Sequence, residues 1–414
     1  MMSHRETTIP WKNYLEEEPA MISGHKTNLK LNSLVIACGV AILSASPTYA
    51  GKGGNKPCSA AYQVVTLAPA GVDVWRSGVG DLNEVGNAVG YYEDLDGGFH
   101  AFHYNRTSNS FTPLNGGTSA SGLNNSEQVV GLDESGAFRV GLYWHTANGV
   151  PVVVPPLPGD WECVPSDIND DGVISGTSTG PGGSRAVVWQ VQVGESVSIS
   201  NPIDLGVLAG DDHSGAARLN ELSSQGRATV AGHSDYENVI GYDGNGSPIN
   251  ETWSRAVTWE VQVGQDGSLS LVSGPSDLGT SSGELSDALA VNNFDDVCGT
   301  HENWPFLQIS GETMEPLEGV RNAIGGKASD VNDLQETVGT LQVSDKRGIQ
   351  FEFRAFLWRN GSPIDLTKQI RGGTDWQLLE HALEVSNSGH IAGVGWNSQF
   401  GSGNGAYLLI PSAP

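Results

Sequence analysis

Cationic side chains are scarce in this chain: 21 Lys and Arg stand against 47 Asp and Glu, a net charge of −26 over 414 residues. Nucleic-acid binding needs Lys and Arg to displace counterions from phosphates, and adsorption to anionic lipid draws on the same residues, so both are disfavoured. An acidic surface suits solubility, divalent cations or neutral ligands. Cysteine is scarce too, with four. Beyond residue 50 only Cys58, Cys163 and Cys298 remain, an odd and well-separated set that makes neither a disulfide framework nor the paired spacing of a zinc site. Which two of them pair, if any, the spacing leaves open; Cys298, inside a repeated apolar strand, reads as a small core residue. Long runs of 3.6-residue periodicity are missing while glycine is abundant at 55, which excludes a helical fold. The chain also has no H-E-x-x-H zincin motif and no phosphate-binding P-loop.

Residues 1–50 read as an N-terminal extension and secretory signal peptide. Lys26 and Lys30 form the charged start, residues 34–43 the apolar run, and Thr48-Tyr49-Ala50 a cleavage site with a small residue at the cut. Removing them takes equal numbers of acidic and basic groups and leaves the net charge unchanged. The apolar run is too short for a permanent membrane span. Residues 1–19 are polar and odd ahead of an export signal, so Met21 competes with Met1 as the start. Val35-Ile36-Ala37-Cys38 loosely matches a lipoprotein site but has too few apolar residues before it. Residues 51–60 read as a flexible linker, and the expected location is secreted or periplasmic.

What the chain has in plenty is repetition. An apolar residue followed by Asn, a short turn and a strand ending in Gly recurs seven times: Leu82-Asn83 leads to Gly90, Leu123-Asn124 to Gly131, Ile168-Asn169 to Gly176 and Leu219-Asn220 to Gly232. Val291-Asn292 then leads to Gly299, Val331-Asn332 to Gly339 and Val385-Ser386 to Gly393. Asn can bond its own backbone two residues on and so hold a turn, and Gly permits close approach at the strand end. A second piece is a strongly apolar strand, as in Ala186-Val187-Val188-Trp189 and Ala355-Phe356-Leu357-Trp358, whose continuous apolarity indicates cover on both faces. A third centres on Leu, as in Asp204-Leu205-Gly206 and Asp277-Leu278-Gly279, and occurs only six times. The missing seventh lies at the other end of the repeat region, in Gln63-Val64-Val65-Thr66-Leu67. A ring that borrows its last strand from its N-terminus loses its open edge. The expected fold is therefore all-β, a single seven-bladed β-propeller over residues 61–414 with the N-terminal strand closing the last blade. An open solenoid leaves the displaced strand unexplained, and a sandwich accommodates seven regular repeats poorly.

These pieces resemble the repeats of the HAF-family extracellular proteins: Arg354-Ala355-Phe356-Leu357-Trp358, the Asp-Leu-Gly segments and the Asn-to-Gly hairpins, with the namesake tripeptide as His100-Ala101-Phe102. The similarity covers nearly all of residues 62–410. It implies export and a repeat fold, and brings no catalytic residues with it.

Chemistry is thinly marked. Two segments match G-x-S-x-G, Gly176-Thr177-Ser178-Thr179-Gly180 and Gly279-Thr280-Ser281-Ser282-Gly283, but no helical pattern follows either, as a nucleophile elbow requires. His100 and His103 stand three apart on a strand and point to opposite faces. Acidic turns (Asp94/Asp96, Asp170/Asp171, Asp211/Asp212, Asp295/Asp296, and Asp243 with Asn245) could supply oxygen ligands to one structural calcium, though none has an EF-hand loop and such residues favour turns without metal. In four-stranded blades the loop between the second and third strands shares a face with the connection to the next blade. On this face, called face B, loop length varies most, and variable loops on a rigid scaffold are where binding sits. Face B is expected to gather Trp161, Tyr236, Tyr242, Trp253, Trp304, Trp376 and Trp396 beside Asp211 and Asp212. Aromatics beside carboxylates suit a hydroxyl-rich neutral ligand; capping of blade junctions is the competing role for the same rings. The function so read is a non-catalytic propeller binding an extracellular polysaccharide or a protein partner. The alternatives are a calcium-assisted hydrolase or polysaccharide lyase, and a structural envelope component.

Overall fold

The computed structural model describes residues 61–412, apart from residues 195, 243–247, 280–284, 346, 347, 349 and 371–373. The expectations about the export segment, the linker, Cys58, Asp243 and Asn245 fall outside the described residues, as does the side chain of Tyr242. Seven antiparallel sheets follow one another, and in six of them the strands run in sequence order from the inside outward. The inner strands are Val74–Leu82, Ser119–Leu123, Glu162–Ile168, His213–Leu219, Ser286–Val291, Ala323–Val331 and Trp376–Val385; they define blades 1 to 7. In blade 3 two short segments, Val197–Ile199 and Ile203–Asp204, share the place of the outer strand. Blade 7 takes its outer strand from the other end of the repeat region: Tyr62–Leu67 pairs with Asn404–Pro411, setting Val65 opposite Leu408 and Tyr62 opposite Pro411. The chain is a closed seven-bladed β-propeller, and residues 62–67 are the closing strand.

Closure also shows in the core. The buried apolar side chains fall into seven clusters, one for each seam between adjacent blades. The seam between blades 7 and 1 joins Leu67, Ala406 and Leu408 to Val79, Leu82 and Phe102. Third strands feed two seams at once because their side chains alternate: Leu142 and Trp144 pack towards blade 1, and Tyr143 between them packs towards blade 3. Cys163 and Cys298 are free, buried members of two such clusters, which is the core role read for Cys298.

The recurrent Gly has a specific cause. At Gly90, Gly131, Gly176, Gly232, Gly299, Gly339 and Gly393 a Cβ would lie 1.9–2.3 Å from a carbonyl oxygen of the inner strand. Beside that contact every inner strand shifts register by one residue, a β-bulge repeated seven times. The recurrent Asn has two partners. Its carboxamide oxygen accepts a backbone N–H of its own turn, as Asn169 does from Val173 at 2.9 Å. Its Nδ2 donates to the backbone carbonyl of the equivalent residue in the next blade, in six steps from Asn83 to Ser386. Ser386 has no amide with which to take a seventh step.

A second circle lies one residue further on. The backbone N–H of Glu84 donates to the side chain of Asn125, and Asn125 in the same way to Asp170. The relay continues through Glu221, Asn293 and Asp333 to Asn387. Asn387 closes the circle through its Nδ2 to Glu84 at 2.9 Å. These turns form the face opposite face B.

Candidate functional site

The bulge brings the residue before each apolar-Asn pair to the axis. Those positions are Asp81, Gly122, Asp167, Arg218, Ala290, Asp330 and Glu384. Arg218, from blade 4, lies within 3.1 Å of Glu384 in blade 7, 3.4 Å of Asp167 in blade 3 and 3.7 Å of Asp81 in blade 1, a reach open only to a side chain that crosses the centre. It is 1% exposed. Sequence reasoning missed this cluster, although it is written at one repeat position. Asp81, Asp167 and Asp330 each accept the N–H of the following residue with one oxygen and the N–H of the next blade's inner strand (Leu123, Leu219, Val385) with the other, at 2.5–3.1 Å. They are clamps between blades, and the axis at this level is filled.

Burial raises these acids, and repulsion among them adds to the rise at Asp81, Asp330 and Glu384. Asp167 and Asp330 are pushed up to about 7, chiefly by desolvation, and Asp81 and Glu384 well above the carboxylate range. Glu84 and Glu221 on the outer circle rise to about 8, again by burial. A carboxyl whose folded pKa exceeds its unfolded one contributes stability that is complete below the unfolded value and lost as pH rises through the folded value. The thermal midpoint is therefore expected to fall between pH 5.5 and 8.5; a midpoint that rises over this window in a scan series would contradict the arrangement. Nearer face B the inner strands bring Asp287, Lys327 and His381 from blades 5, 6 and 7. Burial lowers Lys327 and, with the help of Lys327, brings His381 down to about 4. His381 is held by Thr340 Oγ1 at 2.9 Å and packs against Phe353.

The other sequence-marked chemistry is committed to structure. Ser178, in the first G-x-S-x-G, lies within the strand Val173–Gly180, buried, and donates to Asp160 at 2.7 Å. Residues 280–283 of the second lie outside the described residues. His100 bonds Asp94 and His103 pairs with Glu127 on opposite faces of their strand. Among the described residues no three His, Cys, Asp or Glu side chains are grouped as a metal ion needs. Asp94 instead uses Oδ1 to hold the N–H groups of its own turn.

The expected face-B aromatics separate into several places. Tyr236 and Trp253 are direct cross-strand neighbours on the long hairpin of blade 4, with rings 6.1 Å apart. Arg255 lies over Tyr236 and is held by Asp211. Asp211 is thus an ion-pair partner, while Asp212 is exposed and donates its backbone N–H to Asp235. Trp161 packs against Phe138. Trp304 stands at the hairpin of blade 5.

Trp396 lies over Gly403, and Trp75 over Gly401 of the same loop, where side chains would collide with the indoles. Trp75 was missed by sequence reasoning, though it opens an inner strand as Trp376 does. Trp376 itself corrects the expectation: it is 7% exposed, meets Tyr407 edge-on at 5.6 Å and donates Nε1 to Thr66 of the closing strand. It is core, because the closing strand and the third strand of blade 7 cover it. Among the described residues the exposed tryptophans, Trp75, Trp161, Trp304 and Trp396, are 38–48% open, and all four stand at face-B ends of strands. Trp144, Trp189, Trp259 and Trp358, at the opposite ends of third strands, are buried.

The fold thus defines a closed β-propeller with its exposed indoles on one face. No protein family matches the chain and no curated protein matches it. Among solved structures, a protein from Lactobacillus plantarum aligns over 61% of this chain and 89% of its own, at 11% identity and a TM-score of 0.27. Porphyromonas gingivalis dipeptidyl peptidase 4 aligns over 80% of this chain and 65% of its own, at 8% identity and a TM-score of 0.28. At such scores neither speaks to activity.

Proposed function

We propose that this chain is an exported, non-catalytic propeller that binds polysaccharide on face B. The observation that carries the reading is the placement of the exposed indoles: four on face B, with the equivalent rings of the other face buried. An exposed indole presents a flat apolar face that packs on sugar C–H groups while its rim stays wet. Trp75 and Trp396 are braced on glycine backbone, so little side-chain freedom is lost on binding. The sequence pattern of residues 26–50 supports export. The test is a polysaccharide screen by affinity electrophoresis with the full chain and its Trp75→Ala, Trp161→Ala and Trp396→Ala variants. Each variant is expected to bind about tenfold more weakly with an unchanged thermal midpoint, one ring contact being worth about 1 kcal/mol or more. Retention as strong as wild type in all three, or no retention of any polysaccharide, would refute the reading; a protein captured through the same tryptophans would move it to a protein partner.

A further inference from the structure

Face B has a cleft at blade 6 whose charge runs against that of the whole protein. A cavity of about 550 Å³ is lined by Arg321, Arg354, Lys368 and Asp365, with Phe356 and Ile364 as its apolar wall. It adjoins a hollow of about 480 Å³ at blade 5, bordered by Trp304, Met314 and Leu317, and the two share Gly319 and Val320. In a chain with 21 cationic side chains and a net charge of −26, three cations at one cavity are a local reversal.

Two of the three have partners. Arg354 is held between Glu352 and Asp365, donating to Asp365 Oδ2 at 2.8 Å, and Lys368 pairs with the same oxygen. Arg321 is exposed and forms no hydrogen bond or ion pair among the described residues. One acceptor is also unmet: Asp365 is 9% exposed, and its Oδ1 is buried without a donor. The cavity therefore offers an uncommitted guanidinium, which suits a planar anion held by two parallel N–H groups. Three cations against Asp365 and Glu352 leave one positive charge, the complement of one carboxylate. At the other end Trp304 provides an aromatic flank, with Glu302 and Glu318 placing negative charge there, so the anionic group belongs at the Arg321 end.

We propose that this cleft selects acidic sugars, seating the carboxylate of a uronic acid residue at Arg321 and the neighbouring sugar against Trp304. The inference rests on the polysaccharide reading of face B and adds the class of sugar.

Oligogalacturonate and its fully methyl-esterified form, the same chain without the charge, are the probes, titrated calorimetrically into the full-length protein, Arg321→Gln and Trp304→Ala. Wild type is expected to bind the acid about tenfold more tightly than the ester, as one charge-assisted hydrogen-bond pair provides, with the difference shrinking as salt rises. Arg321→Gln should bind both forms alike, and Arg321→Lys should restore part of the preference; Trp304→Ala should weaken both while keeping the ratio. Equal binding of acid and ester by wild type, with Arg321→Gln unchanged, would overturn the cleft assignment and leave the polysaccharide reading standing. Binding of neither form by wild type would overturn the cleft assignment. If the wider polysaccharide screen is also blank, the polysaccharide reading falls with it.

Discussion

Arg218→Met is expected to remove about 3–5 kcal/mol of folding stability at pH 8, the usual consequence of deleting one side of a buried ion pair. The number follows from what stays behind. Asp81, Asp167 and Asp330 remain fixed by backbone N–H groups from two blades each, and Glu384 loses both bonds from Arg218 Nη2, at 3.1 and 3.3 Å. Methionine fills the space but neutralises nothing, so the acids must take up protons or repel one another in a medium that screens weakly. Taking up protons is easy at low pH and hard at high pH, so the deficit should shrink at pH 5.5. Glu384→Gln in the same chain should recover part of the loss at pH 8. Urea midpoints for the three proteins at both pH values decide the matter. A single variant as stable as wild type at pH 8 would mean that the axial acids are already protonated there and that Arg218 balances no charge.

Loss of the closing strand should be as severe. A chain beginning at residue 70 lacks Leu67, which is fully buried, and Tyr62, nearly so. Those two side chains account for about 3–6 kcal/mol at roughly 1.5–3 kcal/mol each. Thr66, which meets Trp376 Nε1 at 3.2 Å and Asn397 Nδ2 at 3.4 Å, goes with them. Residues 406–409, every one of them fully buried, would then form an open apolar edge ready to pair with another copy. The truncated chain is expected to aggregate on size-exclusion chromatography, and a peptide of residues 61–69 added in trans to return it to the monomer. A soluble, monomeric truncated chain with the wild-type thermal midpoint would show that blade 7 stands on three strands.

The architecture was legible because each repeat carries its own turn chemistry. The spacing from Asn to Gly is the length of one hairpin, and the absent seventh Leu piece located the closing strand before any coordinate did. The axis was not read, although Asp81, Asp167, Arg218, Asp330 and Glu384 occupy one column of the repeat. Strict alternation along a strand would not turn that column inward; the bulge does, and a bulge is hard to see in one sequence. Trp376 was misplaced because it shares an N-terminal strand position with exposed Trp75, while its cover comes from residues 66 and 407, distant in sequence. The blade 6 cleft was out of reach for the same kind of reason: Arg321, Arg354 and Lys368 lie on three different segments, and only the folding of blade 6 sets them side by side.

The register of the last sheet has a mechanical consequence. Tyr62 faces Pro411, so the two ends of the described chain leave blade 7 at the same corner. Tension between them would load the hydrogen bonds of the outermost pair one at a time, like a zipper, instead of shearing all six pairs together. Anchored by one end only, the ring carries no such force across its clasp; held at both, it would yield there first, with the other six blades still intact.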